Sequence, residues 1–284
     1  MFCVNASIIE KVRKFDEDGV FKIEIDRTMA LLRNFRKKYP FVIKPDLINA
    51  LTPDDIFKDS SGEVGDFFHW IEYNLKPIGQ LYLFSKVYRN IRNKIDEFKD
   101  LLYVVVDKNK SIPQKVDANW EEISGMGDDR HIAKKIIFCF NYETNCVLPI
   151  FKTSDLEYFC RKITGSLNGN DRYFRMSLGE KYQFLNSELL RNKEKMLETK
   201  SWELAYFSRF LYETYPPPQS ITSYVTSKER ENEKEKREQK GKYRHLVELL
   251  NKLKKENKIS AVERREYEKN GDLILVLGIF SLRN

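Results

Sequence analysis

Residues 125–135 read Gly-Met-Gly-Asp-Asp-Arg-His-Ile-Ala-Lys-Lys, and that spacing suits the binding of an anion. Gly125 and Gly127 flank one apolar residue, Met126, where the chain bends between two helical patterns. Glycine permits positive φ and leaves no side chain in the way of a close approach. The first amides of the following helix are unpaired, and the helix dipole favours negative charge there. Arg130, Lys134 and Lys135 follow within one or two turns, in sequence positions suited to meeting a DNA backbone. Asp128 and Asp129 oppose this, since they repel a phosphate while stabilising a helix N-terminus. The stretch therefore supports two readings: a phosphate-binding hairpin, or a glycine turn capped by acids.

The surrounding sequence must supply the helices that hold this bend. Ile123 and Met126 before it, with Ala133, Ile136 and Ile137 after it, are spaced to pack two helices together. Upstream, "NASIIEKVRKFDED" and "DRTMALLRNFRKKYP" have helical periodicity, the second with a basic last turn. "VFKIEI" between them alternates like a short strand. "TPDDIF" is a helix start, and "EVGDFFHWIEYNLK" buries aromatics on one face. "LLYVVVD", at the end of a long helical pattern, reads equally as helix or buried strand. Downstream, Thr153 or Ser154 caps the helix "DLEYFCRKI", with Ser154 and Glu157 at capping-box spacing. Two more helices, "SLGEKYQFLNSELLRNKEKMLETK" and "SWELAYFSRFLYETY", end at Pro216-Pro217-Pro218.

These patterns predict a mainly α protein: a helical domain over 1–216 with a helix-hairpin-helix at about 118–140, then a charged helical C-terminal part. Residues 217–242 read as a charged linker or solvated helix. Residues 243–284 read as a small helical segment ending in "DLILVLGIF", a strand or an anchoring stretch. The mixed-charge helix at 228–256 offers a surface for a protein partner, or is simply solvated.

With the bend and the later acid in view, "WEEISGMGDDRHIAKKIIFCF…VLPIFKTSDLEYF" resembles the core of the helix-hairpin-helix DNA glycosylases, the endonuclease III superfamily, over about residues 60–165. Ile123-Ser124-Gly125-Met126-Gly127 matches the hairpin, with serine where the family has proline. Asp155 matches the family's late aspartate at the next helix start. The resemblance implies binding of double-stranded DNA and base excision. Asp155 would then stabilise cationic sugar character or activate water beside a flipped nucleotide, with His131 as a general base or DNA contact. Trp120, Tyr142 and Phe151 would stack on the extruded base. Each has a plainer reading: Asp155 as helix-terminal charge, His131 as an exposed helix residue, and the aromatics as core. The family's lyase lysine falls on Asp129 without a gap, or on His131 if the acid pair is an insertion. Neither is a lysine, and Lys134 and Lys135 lie further along. The resemblance therefore implies a glycosylase without Schiff-base lyase activity, or a relative that only binds DNA. An interaction module or an accessory subunit of a repair or defence system is the competing expectation.

The totals are consistent with this. The 284 residues are 41% apolar, enough for a substantial core. Charged residues reach 33%, above the usual quarter and similar to thermophile proteins. The net charge of +7 fits nucleic acid or an acidic partner without requiring either. Cys3, Cys139, Cys146 and Cys160 form no C-x-x-C pair, and His69, His131 and His245 complete no metal spacing. No metal and no cofactor are therefore expected, and the thiols are expected to be free and buried. A start charged within a dozen residues and the lack of a long apolar run predict a cytoplasmic protein with no membrane span.

Overall fold

A computed structural model describes residues 6–81, 85–165, 171–218, 261–269 and 272–280. The chain divides into two compact units, residues 1–217 and 218–284. In the first unit α1 (Ala6–Asp18) and α2 (Val20–Lys38) lead to α3 (Pro53–Ile56) and a short antiparallel pair, β1 (Phe57–Lys58) with β2 (Glu63–Val64). Then come α4 (Asp66–His69), α5 (Ser85–Asn93), α6 (Ile95–Val106), α7 (Ile112–Val116), α8 (His131–Asn141) and α9 (Thr153–Thr164). The unit closes with α10 (Asp171–Arg175), α11 (Leu178–Lys195), α12 (Leu197–Lys200) and α13 (Leu204–Thr214). The three prolines after α13 lack the amide donors a helix needs to continue.

Local sequence explains most of these elements, and two expectations are corrected. "VFKIEI" is the opening of α2, not a strand. Ile25, Met29, Leu32 and Phe35 are buried at helical spacing, while Val20 and Ile23 stay exposed. The longer period thus overrides six residues of alternation. "LLYVVVD" resolves as helix, the second half of α6. Pro53 begins α3 with Thr52 and Asp55 closing a capping box. Ser177 and Glu180 do the same for α11. For α9 the expected cap is wrong: the N-cap is Lys152 with no side-chain bond, and the Thr153 hydroxyl turns towards Asp129 instead.

The centre of the first unit is α8. Every residue from Ile132 to Asn141 is buried, with α2, α6 and α7 packed against it. A helix apolar on one face alone could not occupy this position, and the two lysines on α8 must find partners inside. Cys139 and Cys160 are buried free thiols as expected, whereas Cys146 is free but exposed; Cys3 lies outside the described residues.

In the second unit β3 (Ala261–Lys269) and β4 (Asp272–Phe280) pair antiparallel, from Ala261↔Phe280 to Lys269↔Asp272. The strand reading of "DLILVLGIF" holds. The expected helical segment over 243–284 is corrected at 261–269, which is strand. Asn270-Gly271 between the two runs is a strong sequence signal for a short hairpin, and it outweighs the charged, helix-like composition of "AVERREYEK". The 228–256 stretch lies outside the described residues. No helix among the described residues is long and apolar enough to cross a membrane.

Candidate functional site

The bend at 123–130 is built differently from a helix-hairpin-helix. Before it stands a single 3-10 turn, Trp120–Glu122, rather than a full helix; after it, α8 is helical as expected. Positive φ occurs at Gly125 (93°), Asp128 (53°) and Arg130 (52°). The last two are left-handed without being glycine, which costs about 1 kcal/mol or more each unless the surroundings hold them. Arg130 is held: its guanidinium donates to the Val116 carbonyl at 2.6 Å and to Glu121 at 2.9 Å, and lies 3.4 Å from Asp117.

What approaches the bend is protein. A Cβ on Gly125 would stand 2.8 Å from Val87 of α5, whereas one on Gly127 would meet nothing nearer than 3.6 Å. Asn90 of α5 donates to the Ser124 carbonyl at 2.8 Å. Gly125 thus serves helix packing, whereas Gly127 has room for a Cβ in ordinary contact with Glu121. Gly125→Ala should therefore lower stability by about 1–3 kcal/mol through its φ and the Val87 contact. Gly127→Ala should stay within about 0.5 kcal/mol. Chemical denaturation of both variants checks this; equal losses would contradict the assignment.

Lys134 and Lys135 are not phosphate contacts in this structure, because both are fully buried. Lys135 donates to the carbonyls of Leu75 at 2.9 Å and Gly79 at 2.5 Å, tying α8 to the chain after α4. Burial pulls its amine down to about 8. Lys134 turns back one helical turn, donating to Asp129 Oδ1 at 2.7 Å and Thr153 Oγ1 at 2.8 Å, over the ring of Tyr182. Burial lowers its pKa, and the charge of Asp129 and its hydrogen bond oppose that shift.

Asp129 is therefore the hub of the site. Besides Lys134 it accepts from the Thr153 amide at 2.8 Å, from the Thr153 hydroxyl, and from His131 Nε2 at 2.6 Å. An ionised carboxylate only accepts, so Nε2 of His131 carries the proton. Burial by itself would raise the Asp129 carboxyl. The His131 hydrogen bond, the Lys134 charge and the bonds from Lys134 and Thr153 reverse this, holding it far below the usual carboxylate range. His131 is the open edge of the cluster, with 40% of its side chain exposed.

Asp155 lies in the first turn of α9, two residues beyond Thr153, and accepts from Tyr212 at 2.9 Å. Burial raises its pKa; Tyr212, Lys152 and His131 act downwards and Asp129 acts upwards. The bend and the start of α9 are thus stitched together through Asp129 and Thr153, and Asp155 and His131 come within electrostatic reach of each other. The three aromatics separate from this group. Trp120 is buried with its indole donating to the Lys115 carbonyl at 2.9 Å, and Phe151 is buried beside Phe138 and Gly79. Tyr142 is half-buried under Arg36 at the far end of α8. Base stacking by Trp120 and Phe151 is therefore corrected to a packing role, since both are buried. Met126 is likewise buried.

The residues that the sequence did not single out for chemistry are Asp129, Thr153 and Tyr212. The pattern Asp-x-His-x-x-Lys across a helix start was a signal, since it sets one acid opposite two cations; Thr153 and Tyr212 left none. Among the described residues no cluster of three metal-ligating side chains occurs. No family model, curated protein or solved structure matches the chain.

Proposed function

We propose that the protein binds double-stranded DNA at the face around Ser124–His131 and the start of α9, and excises a base there. The observation that carries this reading is the Asp129–Thr153 stitch. It brings together two features that the sequence separates by more than twenty residues: a glycine bend ahead of a helix, and a half-buried acid at the start of the next long helix. In this reading Asp155 offsets developing positive charge on the sugar or activates water as the base leaves. Its raised pKa is what a carboxyl sheltered from solvent shows. Asp129 is a positioning residue that orients His131. Lys134 and Lys135 take no part in phosphate binding.

Affinity for duplex DNA should fall steeply with salt, because each phosphate contact releases counterions. No binding at low salt would leave a helical interaction module as the surviving function.

The Lys134 amine lies in the same cluster, but it is fully enclosed and held by Asp129. Borohydride treatment of a protein–substrate mixture should therefore trap no covalent complex. A trapped adduct that disappears in Lys134→Met would move the chemistry to Lys134.

A further inference from the structure

With Lys134 and Lys135 buried, the cations that would meet a backbone at the bend must come from elsewhere, and α5 supplies them. Its nine residues contain Lys86, Arg89 and Arg92 and no acid. Tyr88 and Ile91 are buried. Val87 and Asn90 face the bend, through the Gly125 approach and the Ser124 hydrogen bond. At 100° per residue, Lys86 and Asn93 come next around the helix on the solvent side, followed by Arg89. All three are exposed. The exposed residues Ser124 and Gly125 of the bend and this basic edge are therefore adjacent strips of one surface.

The charges on this edge are available. Lys86 forms no ion pair among the described residues. Arg89 sits 3.4 Å from Asp59 with both side chains half-exposed, a surface pairing worth about 1 kcal/mol or less that a phosphate can replace. Arg92 is different: it is turned away, bound to Asp54, Asp59 and the Phe57 carbonyl.

We propose that the exposed edge of α5, Lys86 and Arg89 with Asn93, grips the phosphates of one DNA strand beside the bend at Ser124–Gly127. This rests on the DNA-binding reading above. The partner follows from charge: a run of phosphates matches two cations one turn apart and flanked by amide donors.

The test is the salt dependence of binding to a duplex of random sequence, measured for the full chain. Lys86→Gln with Arg89→Gln should make the slope of log affinity against log salt about 2 less negative, close to two lost phosphate contacts. The loss should be alike for all sequences. Both side chains are exposed, so folding should be unaffected, and circular dichroism verifies it. Lys22→Gln with Lys37→Gln, two exposed charges on α2, controls for net charge and should leave most of the slope in place. If wild type binds and the α5 variant keeps its slope, or the α2 control loses as much, the α5 assignment is overturned while DNA binding stands. If wild type shows no duplex binding at low salt, both fall together.

Discussion

Asp129→Ala should lower the unfolding free energy by about 3–5 kcal/mol, because it leaves the ammonium of Lys134 fully buried without its counter-charge. It also removes the acceptor for the Thr153 amide and hydroxyl, so the start of α9 loosens from the bend. The double variant Asp129→Ala with Lys134→Met should recover much of the loss, since no uncompensated charge remains. The sign of the pH dependence follows from the carboxyl's depressed pKa. The folded state gives up this proton more readily than the unfolded chain, so the contribution is complete above the unfolded value of about 4. It disappears as pH falls through the lower folded value. Acid titration of unfolding should therefore show a flatter low-pH limb in the variant. A single-variant loss under about 1 kcal/mol would mean that Lys134 finds another partner or sheds its proton.

Asp155→Asn should cut base release by a factor of hundreds while leaving duplex affinity nearly unchanged. Asparagine keeps the size and one acceptor for the Tyr212 hydroxyl, but it cannot offset a developing cation. A few kcal/mol of transition-state stabilisation corresponds to that factor. A helix-terminal acid with no chemical task would cost about 1 kcal/mol of stability or less and no rate. The active form is the carboxylate, so wild-type base release should fall as pH drops through a pKa above that of ordinary aspartate. Uracil, oxidised guanine, alkylated purines and mismatched thymine form the substrate panel. Full activity in Asp155→Asn would exclude the residue, and inactivity of wild type on the whole panel would leave DNA binding alone.

The helices were legible where one apolar face repeats over several turns, as in Met29-Leu32-Phe35. Ile123, Met126, Ala133, Ile136 and Ile137 were legible as packing residues for the same reason, and all five are buried. The lysines of α8 were not. Charged side chains are almost never fully buried unless paired. Lys134 has its counter-ion Asp129 five residues away, but its second partner Thr153, and Leu75 and Gly79 for Lys135, lie far away in sequence. Periodicity carries no such information. Gly125 was legible as a close approach, but the approaching group was not, because Val87 lies almost forty residues earlier. Asp129 looked like a charge set against phosphate, and its geometry makes it the internal counter-ion of α8.

The enclosure of α8 on all sides has a consequence for motion. Amides at the surface of a fold exchange their hydrogens through small local openings, whereas those sealed in its centre wait for the whole fold to open. The amides of α8 from Ile136 onwards should belong to the second kind, and the bend leads directly into that helix. The backbone that would face a ligand is thus anchored on its C-terminal side to a segment expected to exchange slowly. Any adjustment on binding then falls to the other side, at α5 and the 3-10 turn, where exchange should be fast in the free protein and slowed by an occupant.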